Sequence, residues 1–481
     1  MDELRELRSR IERLADLGQV AALLEWDQLV MMPVRAAEPR AAQVGTLARI
    51  RHEMATGEEL GRLLDELSDA ELDPVDADIA RLARRDYDRA VRVPAELAAE
   101  LASGAAAGQK TWERARAADD FTEFLPALER NIELARDYAG HVADPGQSRY
   151  DALLADYDFG LTSETIAALF ARLGEVLPGL VAEAPASDAA LEVPLEGQKQ
   201  AVGAILARLG VEPSSWRVDV SAHPFSTGTA RLDQRITTRY SDGGVEAIGA
   251  AIHEFGHALY ERQIDPALDR TNLATGTSMS VHESQSKFWE NHIGRSRAFA
   301  EVIAGELRSA GTEVSADDYF AAANRVAATP IRVSSDPVSY SLHIVLRFEL
   351  ERAMIEGELA AADLPGEWRS GMKRLLGIDV KSDAEGCMQD VHWSGGSFGY
   401  FPSYALGGLI AAQVWEAIVA ALGPLDGRLR AGETDEIKGW LAENIHRFGR
   451  RLDTVPVIEH ATGRGLDPEP FLRYAESVAA G

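Results

Sequence analysis

The sequence His253-Glu-Phe-Gly-His257 constrains the fold and the chemistry of this chain more than any other feature. It lies within Ala247 to Arg262, a stretch of good helix formers, so the composition predicts a helix there. Side chains four residues apart lie on one face of a helix, one turn apart, so the two imidazoles can bind a single metal ion. The apolar residues of the stretch fall at helical spacing and predict a buried stripe: Ile248, Ile252, Phe255 and Leu259.

Two glutamates complete the predicted site. Glu283 lies 26 residues after His257 (283 − 257 = 26) and is the candidate third ligand, while Glu254 lies where it can take a proton from a metal-bound water. Three protein ligands leave a fourth position open, which is typical of a catalytic rather than a structural zinc site. For that reason we expect His282 to support a ligand by hydrogen bonding rather than to bind the metal. These residues predict a zinc peptidase. The alternative is an exposed helix with two incidental histidines, which we do not favour because the chain has only 11 histidines.

The composition excludes several classes of partner. The net charge is −28 and the chain has no basic run, so it is not expected to bind nucleic acid. Cys387 is the only cysteine, which rules out an intrachain disulfide and fits a reducing compartment. The N-terminus is charged and helical, without the apolar core of a signal peptide. Phe401 to Gly423 is the most apolar segment, but its proline, glutamine and glutamate indicate a buried helix rather than a membrane span. We therefore expect a cytoplasmic protein with no membrane partner.

Periodicity predicts a mainly α-helical chain that forms a single peptidase domain over residues 1–481. Residues 1–165 are predicted to be an N-terminal helical region, and residues 166–481 the catalytic region that carries the metal site. Trp216 to Ser221 and Leu232 to Tyr240 alternate with period two and predict a small β-ribbon just before the metal helix. Ser226 to Ala230 is interpreted as the turn between the two strands, and Glu183 to Gly197 as a loop.

Three further residues are candidates for binding a substrate. Arg332 can bind a carboxylate through two parallel N–H groups, although an arginine is more often a surface residue. The hydroxyl of Tyr400 or Tyr404 can donate to a developing oxyanion, although a tyrosine packed at the start of a helix is an equally good interpretation. Gly386 to Trp393 crowds polar side chains together and is expected to support the site or to form a structural polar network.

Six motifs in this order resemble the carboxypeptidase Taq family of metallocarboxypeptidases. They are His223-Pro-Phe225, Asp233-Gln-Arg-Ile-Thr237, His253-Glu-Phe-Gly-His257, His282-Glu-Ser-Gln285, Ile331-Arg-Val-Ser-Ser-Asp336 and Gly386-Cys-Met-Gln-Asp-Val-His-Trp393. The resemblance implies a zincin-like helical fold with a deep substrate groove, roofed by the N-terminal helices and with the β-ribbon beside the metal helix. It also implies a homodimer that works with Zn²⁺ or Co²⁺ and removes single residues from the C-termini of peptides with broad specificity.

The same resemblance implies roles for individual residues. His253, His257 and Glu283 hold the ion, Glu254 is the general base, and Arg332 fixes the terminal carboxylate of the peptide. His223 and either Tyr400 or Tyr404 help to bind that terminus or the oxyanion. Two alternatives remain open. One is a zinc oligoendopeptidase or dipeptidyl carboxypeptidase with the same metal chemistry, and the other is a non-catalytic helical scaffold that binds peptides.

Overall fold

The computed structural model describes residues 2–187, 189–241 and 243–481. Within these residues the chain forms twenty α-helices and three strands, which confirms the mainly α fold class. The helices are α1 Asp2–Val30, α2 Ala37–Thr56, α3 Glu58–Glu66, α4 Pro74–Arg92, α5 Ala95–Ala118, α6 Phe121–Val142, α7 Arg149–Leu154, α8 Ser163–Glu183, α9 Leu195–Arg208, α10 Glu246–Arg262, α11 Met279–Lys287, α12 Arg297–Ser309, α13 Ala316–Ala323, α14 Ser339–Glu356, α15 Leu364–Leu376, α16 Pro402–Leu422, α17 Asp426–Arg430, α18 Asp435–Asn444, α19 Thr454–Thr462 and α20 Glu469–Ala479. The strands are β1 Trp216–Val220, β2 Ser226–Ala230 and β3 Asp233–Thr238.

The sheet has the strand order β1-β3-β2, with β1 parallel and β2 antiparallel to the central strand. The predicted strands at β1 and β3 are confirmed. The predicted turn at Ser226 to Ala230 is wrong, because this segment is β2 and pairs with β3. Its sequence contains no large apolar residue, so no alternation marked it as a strand. It is ordered by its partner instead: Gly228 lies against the side chain of Gln234, where an added Cβ would be 2.9 Å from Nε2.

Three clusters of buried apolar side chains make up the core. The largest joins α6 to α8 with α14 to α16 and α20. The second surrounds α10 and includes residues of α9, α11, α12 and the sheet. The third joins α1, α3 and α4 to Ile264, Leu268 and Leu273, which follow the metal helix. Helix α16 belongs to the first two clusters, because Leu406 packs in one and Ile410 in the other. The sequence of α16 is therefore apolar on every side, which is typical of a central helix.

Two helices, α8 and α16, are long and apolar enough to cross a membrane by length and composition alone. This is weak evidence, because the core helices of soluble proteins have the same properties. Most of the apolar part of α16 is buried against other helices, as predicted for Phe401 to Gly423. In α8, the buried residues recur at helical spacing along one face: Ile166, Leu169, Phe170, Leu173 and Leu177. Both helices therefore bury apolar surface within the fold.

Trp26 contributes to the contact between the N-terminal helices and the sheet. It lies near the end of α1, with the guanidinium groups of Arg217 on β1 and Arg235 on β3 at 4.9 and 4.4 Å from its ring centre. Stacking of guanidinium on indole is favourable when it is shielded from water, and Trp26 is buried. Residues 2–165 are mostly helical, as predicted. Their division from residues 166–481 and their role as the roof of a groove remain predictions.

The segment before the sheet follows the sequence interpretation with one shift. Residues 184–187 and 189–194 are irregular, but α9 already begins at Leu195, within the predicted loop. Asp188 lies outside the described residues.

Candidate active site

Helix α10 forms where the motif predicts it and buries the predicted stripe. Ile248, Ile252, Phe255 and Leu259 are all buried. Phe255 stacks on Trp216 of β1 at 5.7 Å and meets Trp289 edge-on at 5.0 Å, so the helix is fixed between two indole rings. The two histidines point to another side, with their ring centres 5.0 Å apart. The packing therefore decides which face of α10 carries the imidazoles.

Glu283 on α11 faces both histidines. Its Oε2 atom lies 3.3 Å from Nε2 of His257 and 3.7 Å from Nε2 of His253. The ligand atoms of the three residues all lie within 4.8 Å of one another, so they can hold one metal ion. Two imidazole nitrogens and one carboxylate oxygen form a donor set that suits a zinc-like cation and leaves a coordination position for water. The predicted ligands and the observed geometry therefore fit a catalytic metal ion.

Two glycines allow the helices around Glu283 to approach closely. A Cβ atom at Gly256 on α10 would lie 2.4 Å from the carbonyl oxygen of Gln285 on α11. A Cβ atom at Gly407 on α16 would lie 2.5 Å from Cγ of Glu283 itself. No side chain fits in either place. The two glycines therefore allow α10 and α16 to pack closely against α11, and this packing places Glu283.

Each histidine has a different hydrogen-bond partner at Nδ1, the ring nitrogen that faces away from Glu283. Nδ1 of His253 lies 2.9 Å from Oε2 of Glu290, a residue of the π-helix Phe288–Gly294 that follows α11. Glu290 also accepts hydrogen bonds from Lys287 at 3.0 Å and Arg295 at 2.9 Å. Two cations thus keep its carboxylate charged, and the attraction of Lys287 holds the pKa of Glu290 well below its ordinary value even though burial acts to raise it.

The partner of His257 is a second histidine. Nδ1 of His257 lies 2.6 Å from Nδ1 of His282, and Nε2 of His282 lies 2.9 Å from Oε1 of Glu261. This is the supporting hydrogen bond expected of His282. When His257 donates through Nδ1 and His282 donates to Glu261, Nε2 of His257 keeps a lone pair toward Glu283. The relay therefore favours the tautomer of His257 that a metal ion requires.

The site separates the protonation behaviour of its two carboxyl groups. Burial raises the pKa of Glu254 to about 7, because the attraction of His253 for the carboxylate offsets only part of the effect of burial. For Glu283, burial also acts to raise the pKa, but attraction to His253 and to Lys287 outweighs it and lowers the pKa to about 2. Glu283 therefore remains a charged ligand at neutral pH, while Glu254 can both take and release a proton.

Arg332 is buried at a separate polar cluster. Its Nε and Nη2 atoms donate to Oδ1 of Asp390 at 3.0 and 2.7 Å, and Nη1 donates to the hydroxyl of Tyr340 at 2.9 Å. Three of its five N–H groups are used in this way, and the other two have no partner among the described residues. Asp390 also pairs with Arg347, so the predicted polar segment contributes to a network of charged side chains around Arg332. The network fixes Arg332 and leaves it donors for a ligand.

Tyr340 connects this cluster to Glu283 on α11. Nζ of Lys287 lies 4.9 Å above the Tyr340 ring and 3.9 Å from Oε1 of Glu283. Arg332 and Glu283 are thus joined through two intermediate side chains. The sequence interpretation missed Tyr340, since a lone tyrosine outside the recognisable motifs gives no signal.

The two candidate tyrosines lie beside Arg332. Tyr400 and Tyr404 meet edge-on at 5.1 Å, and the guanidinium of Arg332 is 5.0 Å from the Tyr404 ring centre. The Tyr404 hydroxyl lies 3.3 Å from Nε2 of His392. Burial, followed by the charge of Glu283, raises the pKa of Tyr400 to about 12, so its hydroxyl stays protonated and able to donate. Both tyrosines stay candidates for donating to an oxyanion.

His223 is the predicted site residue that stands apart. It is exposed, in the loop after β1, and its carbonyl oxygen accepts a hydrogen bond from Ser221. Among the described residues its imidazole has no contact with the metal ligands or with Arg332.

The sequence interpretation also missed two supporting residues at the metal site. Glu261 could have been predicted, because it follows His257 by one helical turn. Glu290 could not, because its role depends on the π-helix.

Comparisons with known proteins agree with this geometry. The sequence model of the carboxypeptidase Taq (M32) metallopeptidase family matches residues 6–478. The chain belongs to this family. Its relatives include thermostable carboxypeptidase 1 of Thermus thermophilus, which is 38% identical over 99% of this chain and 98% of that protein. Carboxypeptidase 1 of Bacillus subtilis is 36% identical over 98% of this chain and 96% of its own length.

Solved structures of M32 carboxypeptidases have the same fold. The M32 carboxypeptidase of Deinococcus radiodurans superposes with a TM-score of 0.95 at 35% identity, and each chain is covered completely. The Pyrococcus furiosus carboxypeptidase gives 0.96 at 34% identity over 100% of this chain and 99% of the other. Metallocarboxypeptidase 1 of Trypanosoma cruzi gives 0.96 at 31% identity over the whole of both chains. The chain is accordingly a metal-dependent carboxypeptidase that acts on peptides.

Proposed function

We propose that this M32 enzyme removes one amino acid at a time from the C-termini of peptides, with broad specificity, and that Zn²⁺ is its working metal, which Co²⁺ can replace. The observation that carries the proposal is the connection from Glu283 through Lys287 and Tyr340 to Arg332. It links a cation with two unused N–H groups to the metal ligand Glu283 through two side chains, a separation at which a peptide that ends close to its scissile bond can be held. The nitrogen and oxygen donors of His253, His257 and Glu283 support the choice of metal.

His253, His257 and Glu283 would hold the ion, which when bound supplies Lewis acidity and acidifies a water molecule. Glu254, buried and with a pKa near 7, takes a proton from the attacking water and passes it to the leaving amine. The hydroxyl of Tyr400 or Tyr404 donates to the oxygen that becomes negative as the carbonyl is attacked.

Recognition of the substrate terminus is assigned to Arg332. Because Asp390 and Tyr340 hold its guanidinium, little side-chain entropy is lost when a carboxylate binds to the remaining N–H groups. The broad specificity that we propose fits this arrangement, since the contacts are made to the carboxylate and not to the side chain of the terminal residue. His223 is proposed to help bind the terminus from the loop after β1, although nothing in that loop holds its imidazole.

The experiment that tests the function is mass spectrometry of one defined peptide incubated with purified enzyme, with zinc, with cobalt and with a chelator. Successive loss of single C-terminal residues with either metal, abolished by the chelator, is the expected result. Release of dipeptides would indicate dipeptidyl carboxypeptidase activity instead. Internal fragments would indicate oligoendopeptidase activity. Absence of cleavage with both metals would leave the peptide-binding scaffold as the better interpretation.

A second experiment tests Arg332. Arg332→Ala should raise the KM for peptides with a free carboxylate, while C-terminally amidated peptides should be poor substrates of the unaltered enzyme. Arg325→Ala is the matched control, because Arg325 is exposed in the irregular segment that leads to Arg332. Equal cleavage of acid and amide peptides by the unaltered enzyme would contradict recognition of the terminus.

We also propose that the enzyme is a homodimer in the cytoplasm, on the resemblance to its family and on the single, buried Cys387. Sedimentation of the purified protein at several concentrations tests the first part. A species of one chain at all of them would contradict it. Fractionation of the source cells tests the second.

A further inference from the structure

Asp158 is a fully buried carboxylate that the catalytic scheme above does not use. It lies in the connection between α7 and α8, at 0% exposure. Its Oδ1 atom accepts a hydrogen bond from the backbone N–H of Ser280 at 3.0 Å, and its Oδ2 atom accepts one from the hydroxyl of Ser403 at 2.5 Å. Ser280 is in the first turn of α11, and Ser403 is in the first turn of α16. One carboxylate thus joins the N-terminal ends of two helices.

These two helices are the ones that meet around the metal ligand. Ser280 precedes Glu283 by three residues, and Ser403 precedes Gly407 by four, so each bond is about one turn from the contact between them. At that contact a Cβ atom on Gly407 would lie 2.5 Å from Cγ of Glu283. A shift of α11 along or away from α16 would therefore move the ligand directly. Asp158 holds the two helices at the place where such a shift would begin.

Neighbouring contacts make the junction rigid. The backbone N–H of Met279 donates to the carbonyl oxygen of Tyr157 at 2.9 Å, so two successive residues of the connection bind the start of α11. Ser278, the N-cap of α11, accepts a hydrogen bond from Thr454 at 2.8 Å. A carboxylate at a helix N-terminus is also favourable because free N–H groups point toward it. The first turn of α11 is therefore fixed by the connection and by α19 together.

We propose that Asp158 is a positioning residue for the metal ligand Glu283. Through Ser280 and Ser403 it determines the separation and the relative position of α11 and α16, and so directs the Glu283 carboxylate at the two imidazoles. A carboxylate that only stabilised the fold could bind any pair of elements. This one binds the two whose contact includes the ligand.

The test compares Asp158→Ala with Asp158→Asn in the full-length enzyme. Alanine removes both acceptors, and we expect the metal Kd, measured by competition with a chelator, to rise by about ten- to a hundred-fold. The visible spectrum of the cobalt-loaded protein should change, and kcat at saturating metal should fall with little change in KM. Asparagine keeps one oxygen for the Ser280 N–H and an amide that can donate to the Ser403 hydroxyl, so it should restore most of the metal affinity.

Gln413→Ala is the matched control for loss of stability. Gln413 is similarly buried in α16, six residues after Gly407 (413 − 407 = 6). Its amide nitrogen donates to the carbonyl oxygen of Gly465, and its amide oxygen accepts from the backbone N–H of Asp467. It should lower Tm but leave metal Kd and the cobalt spectrum unchanged. The proposal is overturned if Asp158→Ala leaves both metal readouts unchanged, or changes them no more than Gln413→Ala does. If the alanine variant does not fold, Ser403→Ala removes one of the two bonds, and an unaltered Kd and spectrum there would also overturn it.

Discussion

Oε2 of Glu290 lies 2.9 Å from Nδ1 of His253, on the side of the imidazole that faces away from Glu283. This carboxylate fixes the ring and makes its Nε2 atom a better electron donor. We expect Glu290→Gln to weaken metal binding by about ten- to a hundred-fold, because the amide keeps the shape of the side chain but loses its charge. The measurement is metal Kd by chelator competition. An unchanged metal Kd would mean that the hydrogen bond between Glu290 and His253 does not contribute to metal binding.

Removal of the general base should separate binding from chemistry. Glu254→Gln is expected to keep the metal content and lower kcat by about a hundred- to ten-thousand-fold, since the amide cannot take a proton. The control is Glu246→Gln at the exposed start of the same helix, which should leave the rate unchanged. Turnover near the original rate in Glu254→Gln would reject this glutamate as the base.

The third ligand is tested by its deletion. Glu283→Ala removes the one carboxylate oxygen of the donor set and leaves two imidazoles, so the purified protein is expected to lose its metal. Metal content per chain, determined by atomic spectroscopy after dialysis, is the readout. A full equivalent of metal in this variant would show that Glu283 is not a ligand.

Adjacent glycines of α16 offer a paired test of helix approach. Gly407→Ala would bring a methyl group to 2.5 Å from Cγ of Glu283, so we expect weaker metal binding and a loss of about 1–3 kcal/mol in the free energy of unfolding. Gly408→Ala meets its nearest neighbour, the Phe471 ring, at 3.4 Å and should be tolerated. Denaturant unfolding and chelator competition on both variants make the comparison. Equal effects of the two substitutions would contradict a special role for position 407.

The pH dependence follows from Glu254. Burial raises the pKa of this carboxyl group to about 7, and a bound dication lowers it again. The base is active only when ionised, so kcat/KM should fall as the pH drops through a midpoint at or below about 7. The measurement uses enzyme kept saturated with metal at each pH, so that loss of the ion does not imitate the effect. A kcat/KM that is constant on acidification through this range is the contrary outcome.

Local spacing was sufficient to predict the metal helix and its ligands. His253 and His257 share a face because of helical geometry alone, and the buried side of α10 follows from four apolar residues at the same period. The strands β1 and β3 were likewise recognised from their alternation. Glu283 was predicted at a distance of 26 residues because it belongs to a second helix with its own motif.

The parts that were not predicted depend on contacts between distant segments. Strand β2 has no pattern of its own and is ordered by pairing with β3. Arg332 and Asp390 both belong to sequence motifs, but their ion pair could not be predicted, because the two residues are 58 positions apart. Asp158 belongs to none of the sequence motifs, and its contact with α11 and α16 joins segments that are far apart in the chain. Periodicity within a segment carries no information about such partners.

The glycines at positions 256 and 407 have a consequence for the choice of cation. Because α10 and α16 meet α11 at Gln285 and at the stem of Glu283, these glycines let the Glu283 carboxylate lie close to the two imidazoles. Calcium needs a larger, flexible shell of six to eight oxygens, whereas zinc and cobalt accept few ligands at short range. Three ligand atoms held within 4.8 Å of one another, two of them imidazole nitrogens, therefore suit a small cation of the zinc type better than calcium.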